Sequence, residues 1–159
     1  KIDLSEVAVL VGAFAIGPLA GFAVEVIKIL VILLIKGSQT GFVGEAANLL
    51  IGCSLVLPAA YIYKKHKTKR SALIGIAVGT IIMTLIGCVI NAYILIPAYA
   101  KAFKMPLDAI VKMGTELNGR ITSVKTLVIY ATAPFNILKG VLVGIITSLL
   151  YKRISPILK

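Results

Sequence analysis

Residues 130–140 read Tyr130-Ala131-Thr132-Ala133-Pro134-Phe135-Asn136-Ile137-Leu138-Lys139-Gly140. They lie inside an apolar run, Val124 to Tyr151, that is long enough to cross a bilayer. A lysine at bilayer depth costs roughly 2.5–3.5 kcal/mol on insertion scales, so its presence there calls for a partner or a function. Asn136 and Lys139 are three residues apart and share one face of a helix. Pro134 removes a backbone donor one turn away and predicts a kink. The pattern is that of a polar binding face built into a membrane span.

The surrounding chain fits that reading. It is 59% apolar with a mean hydropathy of +1.03, whereas soluble domains lie near 45–50% apolar. Its 159 residues hold about five spans of roughly 20 residues plus loops. The predicted fold is an all-α integral membrane protein, a polytopic helical bundle over residues 1–159 as a single transmembrane domain. Apolar segments run over Val7–Ile16 (short for a span), Leu19–Ile35, Glu45–Tyr63, Ser71–Pro97 and Val124–Tyr151. Gly17-Pro18 marks a turn between the first two.

The net charge of +11 is concentrated in particular loops, which makes it first a topology signal. The loop 64–70, KKHKTKR, carries five Lys/Arg and no acid, and the tail carries Lys152, Arg153 and Lys159. Both are expected on the cytoplasmic side. Asp3, Glu6, Glu45, Asp108 and Glu116 fall on the opposite side. Working back along the chain gives five spans with Lys1 outside. A sixth span upstream of Lys1 would give the native protein six and place both termini inside. The connector 98–123 is too polar to span and is expected outside. Within it, Met105–Gly114 reads as a short helix with Pro106 in its first turn and Gly114 as its stop. Such a helix suits either the membrane surface or a lid.

Polar side chains recur at one depth. Lys28, Asn48, Asn91 and the Asn136–Lys139 pair come from four segments and fall in the outer half or near the midplane. Glu25 is one turn from Lys28, at ion-pair spacing. Asparagine offers donor and acceptor together and lysine donors only. The set therefore points to a pocket for a neutral heterocycle with alternating amide and carbonyl groups. Phe42, Tyr93, Tyr99, Phe103, Tyr130 and Phe135 are candidates for flat apolar contact. Small residues at four-residue spacing (Ala13, Gly17, Gly21; Gly75, Gly79; Gly140, Gly144) allow close helix approach, within the chain or to a partner.

Other classes find little support. There is no nucleophile–base pair, GxSxG or phosphate loop, so the chain does not read as an enzyme and no energy source is evident in it. Cys53 and Cys88 sit in apolar runs without metal-ligand spacing, and neither a metal nor a cofactor is called for. KKHKTKR lacks the aromatic interleaving of a nucleic-acid surface.

Several motifs together resemble the riboflavin-specific S components of energy-coupling factor (ECF) transporters. They are Asp3-Leu-Ser-Glu6-Val, Val11–Gly21, Lys36-Gly-Ser-Gln-Thr-Gly41, Val43-Gly-Glu-Ala-Ala-Asn48, Asn91-Ala-Tyr, Pro97–Pro106 and Pro134–Gly140. The resemblance covers nearly the whole chain in order. It implies a six-helix protein of the bacterial cell membrane that binds riboflavin from outside, as transported substrate. It also implies docking on a transmembrane coupling subunit joined to two cytoplasmic ATPases, and transport by toppling in the bilayer. Carried onto this chain, it nominates Asn136 and Lys139, then Asn91, Asn48, Glu45 and Lys28, as substrate-binding residues. The family's first helix, whose Ala-x-x-x-Ala pattern meets the coupling subunit, has no counterpart here, so Gly17, Gly21, Gly75 and Gly79 are only candidates for that contact. Two alternatives stay open: an S component for another vitamin, and a stand-alone carrier using Glu25 and Lys28 for proton coupling.

Overall fold

The computed structural model describes residues 5–38 and 40–158, and side chains up to Leu150. Asp3, Lys159 and the tail side chains used above as topology markers lie outside the described residues.

Helices α1 (Ser5–Ile16) and α2 (Pro18–Lys36) are separated by Gly17 alone. Its φ of +131° is open to glycine and strained for other residues, and Pro18 supplies the fixed φ that starts α2. Next comes α3 (Val43–His66), the most enclosed helix, with Ile51 to Val56 buried without interruption. A side chain buried at every angle of the helix has no lipid-facing stripe, so α3 is the axis of the bundle. Thr68 caps α4 (Lys69–Ile90): its hydroxyl accepts from Ser71 N–H while Ser71 Oγ accepts from Thr68 N–H. The chain continues through a π-helical turn, Asn91–Leu95, into α5 (Ile96–Ala102), giving a single rod over Lys69–Ala102. After α6 (Leu107–Leu117), α7 (Val124–Leu127) leads through a second π turn, Val128–Thr132, into α8 (Ala133–Leu158).

Among the described residues, four helical stretches are long and apolar enough to span a bilayer: Pro18–Lys36, Val43–His66, Lys69–Ala102 and Val124–Leu150. The shorter α1, expected as a fifth span, has 12 residues, about 18 Å of helix against a hydrocarbon core near 30 Å. It is nevertheless held inside, with Val7, Val9, Leu10, Ala13 and Phe14 buried and the Phe14 ring against Tyr63 of α3.

Small residues set how closely the helices approach. A Cβ at Gly75 would lie 2.7 Å from the Ala59 carbonyl oxygen, one at Gly79 would strike the Leu55 carbonyl, and one at Gly21 would lie 2.6 Å from the Ala13 Cβ. Gly140 abuts Thr80 in the same way. Gly21, Gly75, Gly79 and Gly140 therefore serve packing within the chain.

Pro134, expected to disturb the helix, is preceded by a wide turn. Its ring opposes the carbonyl four residues back, and it has no N–H to give. The residue before it, Ala133, donates five residues back to Val128 O, and Ile96, before Pro97, donates to Asn91 O in the same way. Each proline is thus preceded by one wide turn, and the rods stay helical. The connector also differs in detail. Pro106 caps α6 from outside, and Gly114, expected to end it, lies within it, buried against Leu127 and Ile121. The helix runs on to Leu117 because packing on the following segment, rather than glycine, decides its length.

Candidate ligand-binding cavity

Both π turns face the same space. A cavity of about 510 Å³ lies among α1, α2, α3, the two π turns, α5 and α8, within the roughly 300–1,000 Å³ of small-molecule sites. Lys28, Ile29 and Ile32 enter from α2, and Asn48 and Ile51 from α3. Asn91 and Leu95 come from the first π turn, Ala131 and Thr132 from the second, Tyr99 from α5, and Phe135, Asn136 and Lys139 from α8. The extra residue in each π turn rotates the helix face, which is how Asn91 and Thr132 reach the cavity lying so close to their prolines. Asn91 Nδ2 donates to Gly87 O at 2.8 Å, fixing the amide across its own helix.

One end of the cavity is buried and charged. Glu6 Oε1 accepts from Lys28 Nζ at 2.9 Å and from Lys139 Nζ at 3.1 Å, and Glu25 Oε1 lies 2.6 Å from Lys28 Nζ. The lysine side chains are 12% exposed, Glu6 2% and Glu25 0%, so these ions have exchanged water for one another. Such pairing removes most of the cost of an unpaired charge in the bilayer. Asn136, also buried, aims its amide at α4: a Cβ on Gly87 would sit 2.5 Å from Asn136 Nδ2. Toward the other end the lining opens to Asn48, Tyr99 and Phe135, all exposed.

Five nominated residues, Lys28, Asn48, Asn91, Asn136 and Lys139, thus meet on one cavity from four spans. Glu45 does not line it; its Oε2 accepts from Ser38 Oγ at 3.0 Å, tying Ser38 to the first turn of α3, while Ser38 Oγ also accepts from Phe42 N–H. The nomination of Glu45 rests on the resemblance alone, through Val43-Gly-Glu-Ala-Ala-Asn48. Of the six aromatics proposed as flat contacts, Tyr99 and Phe135 line the cavity; Phe103 stacks on Tyr99 with centroids 6.0 Å apart, and Phe42, Tyr93 and Tyr130 are exposed elsewhere. The Glu25–Lys28 pair expected from spacing is present.

Glu6 is the residue that sequence reasoning missed. Grouped with the outer acidic residues as a topology marker and not nominated for the site, it is buried and holds two lysines. The signal was present: Glu6, Leu10 and Ala13 recur at helical spacing on one face, and all three are buried. Among the described residues no cluster of metal-ligating side chains occurs, and both cysteines are free thiols. A second groove, about 540 Å³ between α4 and α8, is lined almost wholly by apolar side chains such as Leu73, Ile81, Val141 and Ile145 and offers no charged group to a ligand.

Comparison with known proteins agrees with this architecture. The family model described as "ECF transporter, substrate-specific component" matches residues 1–151. The Bacillus subtilis (strain 168) protein named riboflavin transporter FmnP is 31% identical over 157 residues, covering 98% of this chain and 77% of that one. The Staphylococcus aureus (strain TCH60) riboflavin transporter RibU is 33% identical over 158 residues, covering 99% and 76%. A solved S component of a bacterial ECF transporter superposes with a TM-score of 0.72 at 31% identity, over 99% of this chain and 79% of that one. A membrane bundle whose spans converge on one polar cavity is what such a subunit requires, and this chain belongs to the substrate-specific components of ECF transporters.

Proposed function

We propose that this protein is the riboflavin-binding subunit of an ATP-driven vitamin uptake transporter in the bacterial cell membrane. It captures riboflavin at the outer face and delivers it together with a transmembrane coupling subunit and two cytoplasmic ATPases. The loop 64–70 and the C-terminus face the cytoplasm in this reading. The observation that carries it is the joint geometry of the cavity. The side chains of Asn48, Asn91 and Asn136 and the ammonium groups of Lys28 and Lys139 line a space closed at its charged end and edged by Tyr99 and Phe135 at the other. Isoalloxazine is a flat, uncharged ring system with an edge of alternating carbonyls and N–H, so it matches both the donors and the aromatic contact. The names of the relatives point to the same substrate. Glu45 contributes by holding Ser38 against the start of α3.

The test is quenching of riboflavin fluorescence by the purified protein, followed by uptake into riboflavin-requiring cells. Stoichiometric quenching, with uptake that needs the ATPases, is expected. The fully buried Glu25 paired to Lys28 also suits a proton-coupled carrier. Uptake driven by a proton gradient in vesicles without ATPases would favour that second reading.

A further inference from the structure

We infer that Glu6 is a specificity-determining residue: by taking both cavity lysines onto one carboxylate oxygen, it holds Lys139 in place and cancels the charge that would otherwise draw an anionic ligand. The inference rests on the flavin reading and assigns which form of flavin the cavity selects. Glu6 is on α1, Lys28 on α2 and Lys139 on α8, so one side chain ties together three helices that meet at the closed end.

The charged groups at this end are Glu6, Lys28 and Lys139, with Glu25 fully buried behind Lys28. Two carboxylates and two ammonium groups cancel formally. The remaining polar lining, which includes Asn48, Asn91, Asn136, Thr132 and Tyr99, is neutral. Yet donors remain. An ammonium has three N–H bonds. Lys139 and Lys28 each give one to Glu6, Lys28 also lies against Glu25 as an ion pair, and both lysines keep N–H bonds beyond the one to Glu6. The cavity therefore offers charge-assisted hydrogen bonds to carbonyl oxygens without a net positive field. That combination favours an uncharged carbonyl-bearing heterocycle over its phosphorylated form: with the ring carbonyls on the lysine N–H groups, a phosphate at the far end of the ribityl chain reaches this cluster only through its net charge, which is formally zero.

The test compares riboflavin with riboflavin 5′-phosphate by fluorescence titration of the folded protein in detergent, reading the ratio of their dissociation constants. In Glu6→Gln, which keeps the shape and leaves the cluster formally +1, the preference for riboflavin is expected to shrink at least about tenfold. Lys28→Met, formally −1, is expected to widen it. Glu6→Gln with Lys28→Met returns the cluster to neutrality and is expected to restore the wild-type ratio within about threefold. A purely structural role for Glu6 would weaken both ligands alike and leave the ratio unmoved in all three variants, and that result would overturn the inference. If Glu6→Gln does not fold, the opposite-signed shift in Lys28→Met decides the matter: widening supports the inference, and an unchanged ratio overturns it. Wild-type protein that binds neither flavin removes the flavin reading itself, and the inference with it. Wild type that binds riboflavin, with variants that do not shift the ratio, removes the inference alone.

Discussion

Gly52→Ala tests the cavity's hidden support. Gly52 of α3 faces Glu25 of α2, and a Cβ there would lie 2.6 Å from the Glu25 Cδ and strike Oε1, the atom that pairs with Lys28. In an ordinary helix, replacing glycine by alanine gains about 1 kcal/mol. Here the methyl must displace a carboxylate that is 0% exposed. Overpacking of this kind costs about 1–3 kcal/mol. Breaking a buried pair outright costs about 3–5 kcal/mol, and a displaced pair loses about half of that. The net expectation is destabilisation by about 2–4 kcal/mol, which lowers the melting temperature by roughly 5–15 °C for a chain of this size. Lys28 should move with its partner, so riboflavin affinity should fall as well. The assay is thermal unfolding in detergent, with and without riboflavin, beside Gly144→Ala as control. A Cβ at Gly144 meets Ile76 Cγ2 at an ordinary 3.5 Å, so that variant should be neutral or slightly stabilised. A Gly52→Ala protein as stable as Gly144→Ala would refute the claim that Glu25 and Lys28 are held against α3.

Three further expectations concern the site and its orientation. Asn136→Ala and Lys139→Ala should weaken riboflavin binding without unfolding the protein; loss of a charge-assisted bond of about 1.5–3 kcal/mol gives Lys139→Ala a drop of roughly 10- to 150-fold by titration. Glu45→Gln should have an effect at least about fivefold smaller than Lys139→Ala, because Glu45 acts on Ser38 rather than on the cavity. A cysteine introduced at Lys67 should label from the cytoplasmic side of intact membranes only, as the charge run predicts, and labelling from outside would reverse the orientation.

Much of the fold was legible because membrane spans announce themselves by length and apolarity, and the four spans of the structure fall within a few residues of those read from the sequence. The polar residues of the cavity were legible for the same reason: Lys28 and Lys139 stand out where charge is costly. Glu6 did not stand out, because it lies within two residues of the polar N-terminal stretch, and only packing of the short α1 against α2, α3 and α8 makes its position interior. Pro134 was read as a disturbance but not as a wide turn, and Pro97, read as the end of a span, lies within a rod that runs on to Ala102. Whether a helix kinks or takes in an extra residue depends on what its neighbours accept, and that is a tertiary property. Aromatic contacts were the least legible, since a Tyr or Phe in an apolar span looks alike whether it lies on the outside of the bundle, as Tyr93 does at 73% exposure, or faces a ligand.

The most direct test of the central claim is the visible absorption of the protein purified in detergent from riboflavin-containing medium. The account predicts a yellow protein with flavin bands at about one riboflavin per chain, a ratio that falls in Lys139→Ala. A folded, colourless protein that also leaves added riboflavin fluorescence unquenched would contradict it.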